Sequence, residues 1–180
     1  DTTGKNGAPD LQLNFTPAVP QPLMPVLNFG GPAAIFLPIL IQPASSGSVS
    51  LRSADPTVAP IVNPNYLQEA ADLAVFEKAA EMARAMMSTN AFAKLNGGEL
   101  APGGMPIKDW LGLQGSTLWH PAGTCRIGQD AMAVVDPQLR VRGIEGLRVA
   151  DASVMPSVTS GNTVAPCWMI GEKAADLIRN

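Results

Sequence analysis

The apolar residues of this chain change their period once, and that change limits what the chain can fold into. As far as residue 62 they come in short runs that alternate with polar residues or are cut by proline. Leu11-Gln12-Leu13-Asn14-Phe15 alternates, the period of a strand with one buried face. Residues 17–32 carry five prolines and read as an irregular connection, because each proline removes a backbone donor. Ala33 to Gln42 reads as a second, buried strand; its apolar run is too short to span a bilayer and is interrupted by Pro38. Ser45-Ser46-Gly47 is turn chemistry and Ser48 to Arg52 alternates again, which predicts a hairpin at this point. A short extended piece with Ile61 and Val62 follows, between Asp55-Pro56 and Asn63-Pro64-Asn65. Then Leu73, Phe76, Ala80, Ala83 and Met87 recur at spacings of three and four, the stripe of an amphipathic helix from about Leu67 to Met87.

Beyond that helix the pattern becomes irregular. Residues 96–106 hold four glycines and two prolines; with no GxGxxG spacing they read as a mobile loop. Ala133 to Val135 and Leu139 to Val141 are short extended pieces around Asp136-Pro137, and Leu147 to Ala150 reads as a buried strand closing on Asp151. A final helix is expected after Asn162 or Thr163, both good N-caps, with Pro166 tolerated in its first turn.

Composition excludes several functions. The 180 residues carry a net charge of −3 and no basic run, which argues against a nucleic-acid footprint or a polybasic membrane patch. No transmembrane segment is visible. Cys125 and Cys167 do not make a disulfide framework, and one histidine with two cysteines does not make a zinc site, so no metal centre is expected. Charged residues are 15% of the chain, against roughly 25% in soluble domains, which points to surface covered by something else. The chain starts with DTTGKNGAPD, not with Met or a signal peptide; residues 1–10 read as a flexible start, a loop cut open. The compartment is left open.

Nearly every special residue type falls between Trp119 and Asp176. His120, the one histidine, lies between Trp119 and Pro121. A neutral imidazole can accept a proton near physiological pH, as a general base must, or it can be a structural ring with both nitrogens satisfied. Asn162 can hold a ligand oxygen through its amide or simply cap the helix. The two roles are compatible, since a helix N-terminus presents free N–H groups to an electron-rich atom. Asp151 can bind a ligand hydroxyl or local backbone. Arg126, Arg140, Arg142 and Arg148 read as surface or ion-pair residues, and Cys125 and Cys167 as small buried hydrophobes. No GxSxG elbow supports a serine nucleophile.

Taken together, HPAGTCRIG, VVDPQLRVRGIEGLRVADASVMP and SGNTVAPCWMIGEKAADLI resemble the C-terminal signature of the glucose–methanol–choline (GMC) oxidoreductases, and SGSVSLRSADPTVAPIVNPNYL resembles the family's substrate-domain hairpin. The resemblance covers most of residues 40–179. It implies an α+β fold, a mostly antiparallel sheet with packed helices. Residues 11–140 would form the substrate-binding domain, and 141–180 a strand and helix of an FAD-binding domain.

The resemblance implies the cofactor FAD, a small-molecule alcohol as substrate, and an N-terminal FAD-binding half as partner. It makes His120 the base that takes the hydroxyl proton while hydride passes to flavin N5, with Asn162 holding the alcohol oxygen. It places Trp119, His120, Asn162 and Thr163 against the flavin ring, and Asp151 and Ala152 at the diphosphate. Two departures stand out. Ser46-Gly47 replaces the family's frequent Arg-Gly in the hairpin, and no GxGxxG opens a βαβ unit, where the ADP of FAD should sit. The chain is therefore expected to be the C-terminal part of an enzyme, separated from the rest as its own polypeptide or by cleavage, and inactive alone. A hydroxynitrile lyase on the same scaffold and a non-catalytic stand-alone binding domain are the alternatives.

Overall fold

The computed structural model describes residues 2, 7–18 and 31–179. They form two compact units, one from the described residues as far as Ala44 with Leu67–Ser116, the other from Ser45–Tyr66 with the residues from Thr117 onward. Half of the flexible start expected over residues 1–10, and most of the proline-rich connection expected over 17–32, lie outside the described residues.

In the first unit, strand β1 (Leu11–Thr16) pairs antiparallel with β2 (Ile35–Leu40), Leu11 opposite Leu40 and Thr16 opposite Ile35. Phe15 meets Phe36 with ring centroids 5.0 Å apart and Phe92 at 5.7 Å. Pro38 sits opposite Leu13, and the sheet tolerates it because among the described residues β2 has no second neighbour, leaving an edge where no N–H is required. The same free edge explains why β2 is only half-buried along its length and not the buried strand expected: a sheet this narrow covers one side of it. The hairpin expected across Ser45-Ser46-Gly47 from this strand does not form either. Ile41 N–H donates to Asp10 O at 3.0 Å, prolonging the pairing with β1. Pro43 then has no N–H to offer, and Ala44 N–H turns to Asp72 Oδ1 at 2.7 Å, so the chain has left the sheet before the turn begins.

Asp72 belongs to helix α1 (Ala70–Met87), which packs on both strands. Its deepest line is Asp72, Val75 and Ala79, with Leu73, Phe76, Ala80, Ala83 and Met87 half-buried beside it. The predicted stripe is therefore one flank of the buried face, the centre of which holds a carboxylate that periodicity of apolar residues alone does not register. Helix α2 (Ile107–Gln114) packs on α1; a helix of eight residues spans barely two turns and leaves little periodic signal. Arg84, in the last turn of α1, forms two bonds to the carboxylate of Glu99 in the loop between the helices, at 2.8 and 2.9 Å.

The second unit begins with the hairpin of β3 (Ser48–Ser50) and β4 (Ile61–Asn63), Ser48 opposite Asn63. Gly47 lies so close to this ladder that a Cβ would run into the carbonyl oxygen of Asn63, and Asn65 Nδ2 donates to Ser46 O at 3.0 Å. The turn residues thus close the β3–β4 pair.

From Thr117 the backbone is mostly irregular until helix α3 (Val164–Arg179). Ile127, Val135, Val141, Arg140 and Arg148 pair only through single bridges. The segment Leu147–Ala150 is extended, but Leu147 is 46% exposed and Val149 half-buried. It is bonded along one edge, by Val141 N–H to Leu147 O and Val149 N–H to Leu139 O, and a strand is fully buried only with neighbours on both sides. The core of this unit is Val135, Leu139, Val154, Met155, Ile170 and Ala174, so α3 packs on the loops preceding it. No helix among the described residues is long and apolar enough to cross a membrane.

Candidate active site

The His120 segment is held in place by hydrogen bonds to a distant part of the chain. Gly123 N–H donates to Ala152 O at 3.4 Å, Cys125 N–H to Ser153 O at 2.9 Å and Ile127 N–H to Val154 O at 2.8 Å. Residues 152–154 form a single 3-10 turn whose N-cap is Asp151: the carboxylate accepts from Ser153 N–H at 2.7 Å. The Ser153 hydroxyl, and after it that backbone contact, keeps the Asp151 carboxyl below the ordinary carboxylate range. Val154 and Met155 then anchor the turn in the core beneath α3.

This framework brings the His120 ring to the start of α3. Nδ1 of His120 lies 3.0 Å from Thr163 Oγ1 and accepts from, or faces, Thr163 N–H at 3.4 Å. Thr163 is buried, its carbonyl accepts the first α3 bond from Cys167 N–H at 2.9 Å, and Pro166 costs no bond in a turn whose N–H groups have no intrahelical partner. Thr163 therefore occupies the cap position, and Asn162 is released from it: its side chain is exposed and makes no hydrogen bond among the described residues. Trp119, beside His120, has a left-handed backbone (φ 59°) and its indole is 77% exposed.

Of the residues singled out from sequence, His120 and Thr163 are in contact. Asn162 adjoins them in the chain, and Asp151 and Ala152 lie in the turn that carries the His120 segment. Sequence reasoning did not foresee the His120–Thr163 contact. The residues are 43 positions apart, and the one available signal was a second hydroxyl-bearing cap residue next to Asn162.

The arginines divide between ion pairs and backbone caps. Arg126 pairs with Asp130 and Arg140 with Asp136; the Arg126 side chain chiefly holds the Asp130 carboxyl below the usual value, while for Asp136 the backbone N–H of Arg140 does so first and its side chain adds to it. Arg142 donates to Gly128 O and Arg148 to Leu177 O. Cys125 and Cys167 are free and half-buried, not fully buried as expected; Cys167 packs against the edge of the core. Among the described residues, no three side chains of metal-ligating type gather together.

The family model described as GMC oxidoreductase, C-terminal, matches residues 43–171. A GMC-type oxidoreductase of Mycobacterium tuberculosis (strain H37Rv) is 45% identical over 184 aligned positions, covering 96% of this chain and 34% of that protein. Human mitochondrial choline dehydrogenase is 38% identical, covering 95% of this chain and 30% of its own length. Among solved structures, formate oxidase of Aspergillus oryzae, from work on its FAD modification, superposes with a TM-score of 0.78 at 28% identity, over 97% of this chain and 32% of that one. The chain thus belongs to the GMC oxidoreductase family, as its C-terminal part, and spans about a third of the length of the curated relatives it matches. The cofactor of this family is FAD.

Proposed function

We propose that this chain is the C-terminal part of an FAD-dependent enzyme that oxidises an alcohol at a CH–OH group to the aldehyde or ketone, with His120 as general base. The observation that carries the reading is the His120 ring fixed by Nδ1 at the N-terminus of α3, next to the uncommitted carboxamide of Asn162. Relatives named choline dehydrogenase and, in Pseudomonas putida, alcohol dehydrogenase [acceptor] align over 95% and 94% of this chain, which supports an alcohol as substrate class.

The residues present fit the cofactor. The first-turn N–H groups of Val164 and Ala165 have no partner within the helix, and with the helix dipole they suit the electron-rich edge of a flavin. The exposed indole of Trp119, next to His120 in the chain, offers a flat apolar surface. Trp119, His120, Asn162 and Thr163 would hold the ring, and Asp151 and Ala152 the diphosphate region. The substrate-binding domain over residues 11–140 and the FAD-domain piece over 141–180 are part of the same proposal. Val135 and Leu139 share one core with Val154 and Ile170, so the boundary at 140/141 falls inside the second unit and is one of function.

Bound FAD supplies the two-electron acceptor for the hydride that leaves the alcohol carbon. The chain does the rest. With Nδ1 engaged, Nε2 of His120 is the nitrogen that takes the hydroxyl proton, which raises the electron density on oxygen and makes the hydride easier to release. Asn162 donates its amide N–H to the same oxygen and fixes the carbon's approach.

The test is the visible spectrum of the FAD-loaded holoenzyme before and after anaerobic addition of a primary alcohol. A flavin band that bleaches is the expected result. A band that persists while a cyanohydrin releases cyanide would replace the reading with a lyase, and a holoprotein that takes up no flavin would leave a binding module.

A further inference from the structure

We infer that Thr163 is a positioning residue that selects the tautomer of His120: Nδ1–H donates to Thr163 Oγ1, so that the lone pair of Nε2 is the one left to accept a proton. The inference rests on the reading of His120 as base and adds what sets that base in its working form.

A neutral imidazole carries one proton, and only the nitrogen without it can act as a base. Two contacts compete for Nδ1. The Thr163 hydroxyl oxygen is at 3.0 Å, the modal length of a nitrogen–oxygen hydrogen bond, and the Thr163 backbone nitrogen is at 3.4 Å, near the limit of one. The backbone N–H can only donate and so requires Nδ1 to accept, whereas the hydroxyl can take either role and is the one partner that can accept from Nδ1–H. If the backbone N–H were the effective partner, Nδ1 would be the acceptor, Nε2 would carry the proton, and the ring would face the substrate as a donor unable to take a proton. A base at Nε2 needs the proton on Nδ1, and the closer of the two contacts, the hydroxyl, is the one able to receive it. A hydroxyl oxygen also keeps a lone pair for Nδ1–H when the ring becomes an imidazolium, whereas the N–H would then face a second N–H. Thr163 is 6% exposed and its backbone is fixed by the first bond of α3, so the hydroxyl cannot swing away to water. Among the described residues Thr163 is the sole hydrogen-bonding partner of the ring, so no other group supplies the selection.

The experiment uses the holoenzyme labelled with 15N-histidine, with the His120 signals assigned by their loss in His120→Ala. At a pH where the ring is neutral, the expected spectrum has the proton on Nδ1; a proton on Nε2 would overturn the inference. Thr163→Val, which keeps the shape and removes the hydroxyl, should lose that preference. It should also lower kcat for alcohol roughly three- to tenfold, the worth of one net hydrogen bond, while KM stays within about twofold. Thr163→Ser should restore both. A Thr163→Val enzyme with an unchanged nitrogen spectrum and rate would sink the role of Thr163 while leaving His120 as base. A His120→Ala enzyme that reduces flavin at the normal rate would instead sink the reading on which it rests.

Discussion

The two units of this chain are held together by different means. In the first, regular elements carry the load: β1 on β2, and α1 on both, with Val75, Ala79 and the Asp72 carboxylate as the buried line. In the second, most of the core is built from residues in irregular backbone, Val135, Leu139, Val154 and Met155, met by the α3 residues Ile170 and Ala174. There, carboxylates replace ladders. Asp130, Asp136 and Asp151 each accept a backbone N–H two residues on, at 2.7 to 2.9 Å, closing turns that leave few N–H groups for a sheet. Irregular backbone pinned in this way is what brings residues from three separate stretches, 119–128, 151–155 and 162–164, to one place. The catalytic candidates lie in this unit and none lies in the other.

The sharpest way to break that contrast is a charge in the second core. Val135 is fully buried, and Val135→Asp places an unpaired carboxylate there at a cost on the order of 4 kcal/mol. Hydrogen exchange should show the amides of Cys125 and Ile127 opening while β1 and β2 keep their protection. Equal loss in both units would mean that they are not separately stabilised. Asp72→Ala is the reverse experiment. It removes the acceptor of Ala44 N–H, and should cost about 1–3 kcal/mol and loosen the β2 end and the first turn of α1, with the second unit untouched.

A smaller effect should appear in acid. Asp130, Asp136 and Asp151 titrate below the ordinary value of 3.8. A carboxyl whose pKa is lowered in the folded state stabilises it fully above the unfolded pKa, and that contribution is lost as the pH falls through the folded value. The turns over 130–140 should therefore keep constant protection down to about pH 4 and loosen progressively below it. Protection that stays flat to pH 2 would mean that these carboxylates do not hold the turns.

The two units also differed in how far they could be read in advance. Helix α1 and strand β1 follow from period, because an amphipathic element writes its buried face into consecutive residues, and β2 from its apolar run, although that run overstated its burial. What period could not show was pairing: β2 turns back to β1 and not on to β3, because Pro43 and the Ala44–Asp72 bond take the chain out of the sheet. In the second unit local pattern misled, as with the expected strand at Leu147–Ala150, since bridges replace strands there. Its identity was legible in the motifs around His120 and Asn162, whose residue types answer to chemistry more than to backbone geometry. The bond between His120 and Thr163 was not, because proximity across 43 residues is a product of the fold.

The central claim is that His120 is the base. It is tested most directly by the rate at which an alcohol bleaches the flavin of the holoenzyme under anaerobic conditions, followed in a stopped-flow instrument for the wild type and for His120→Ala. Loss of a general base should slow that step by about 100-fold or more, with the flavin still bound and its oxidised spectrum unchanged. Bleaching at the wild-type rate in His120→Ala would contradict the account.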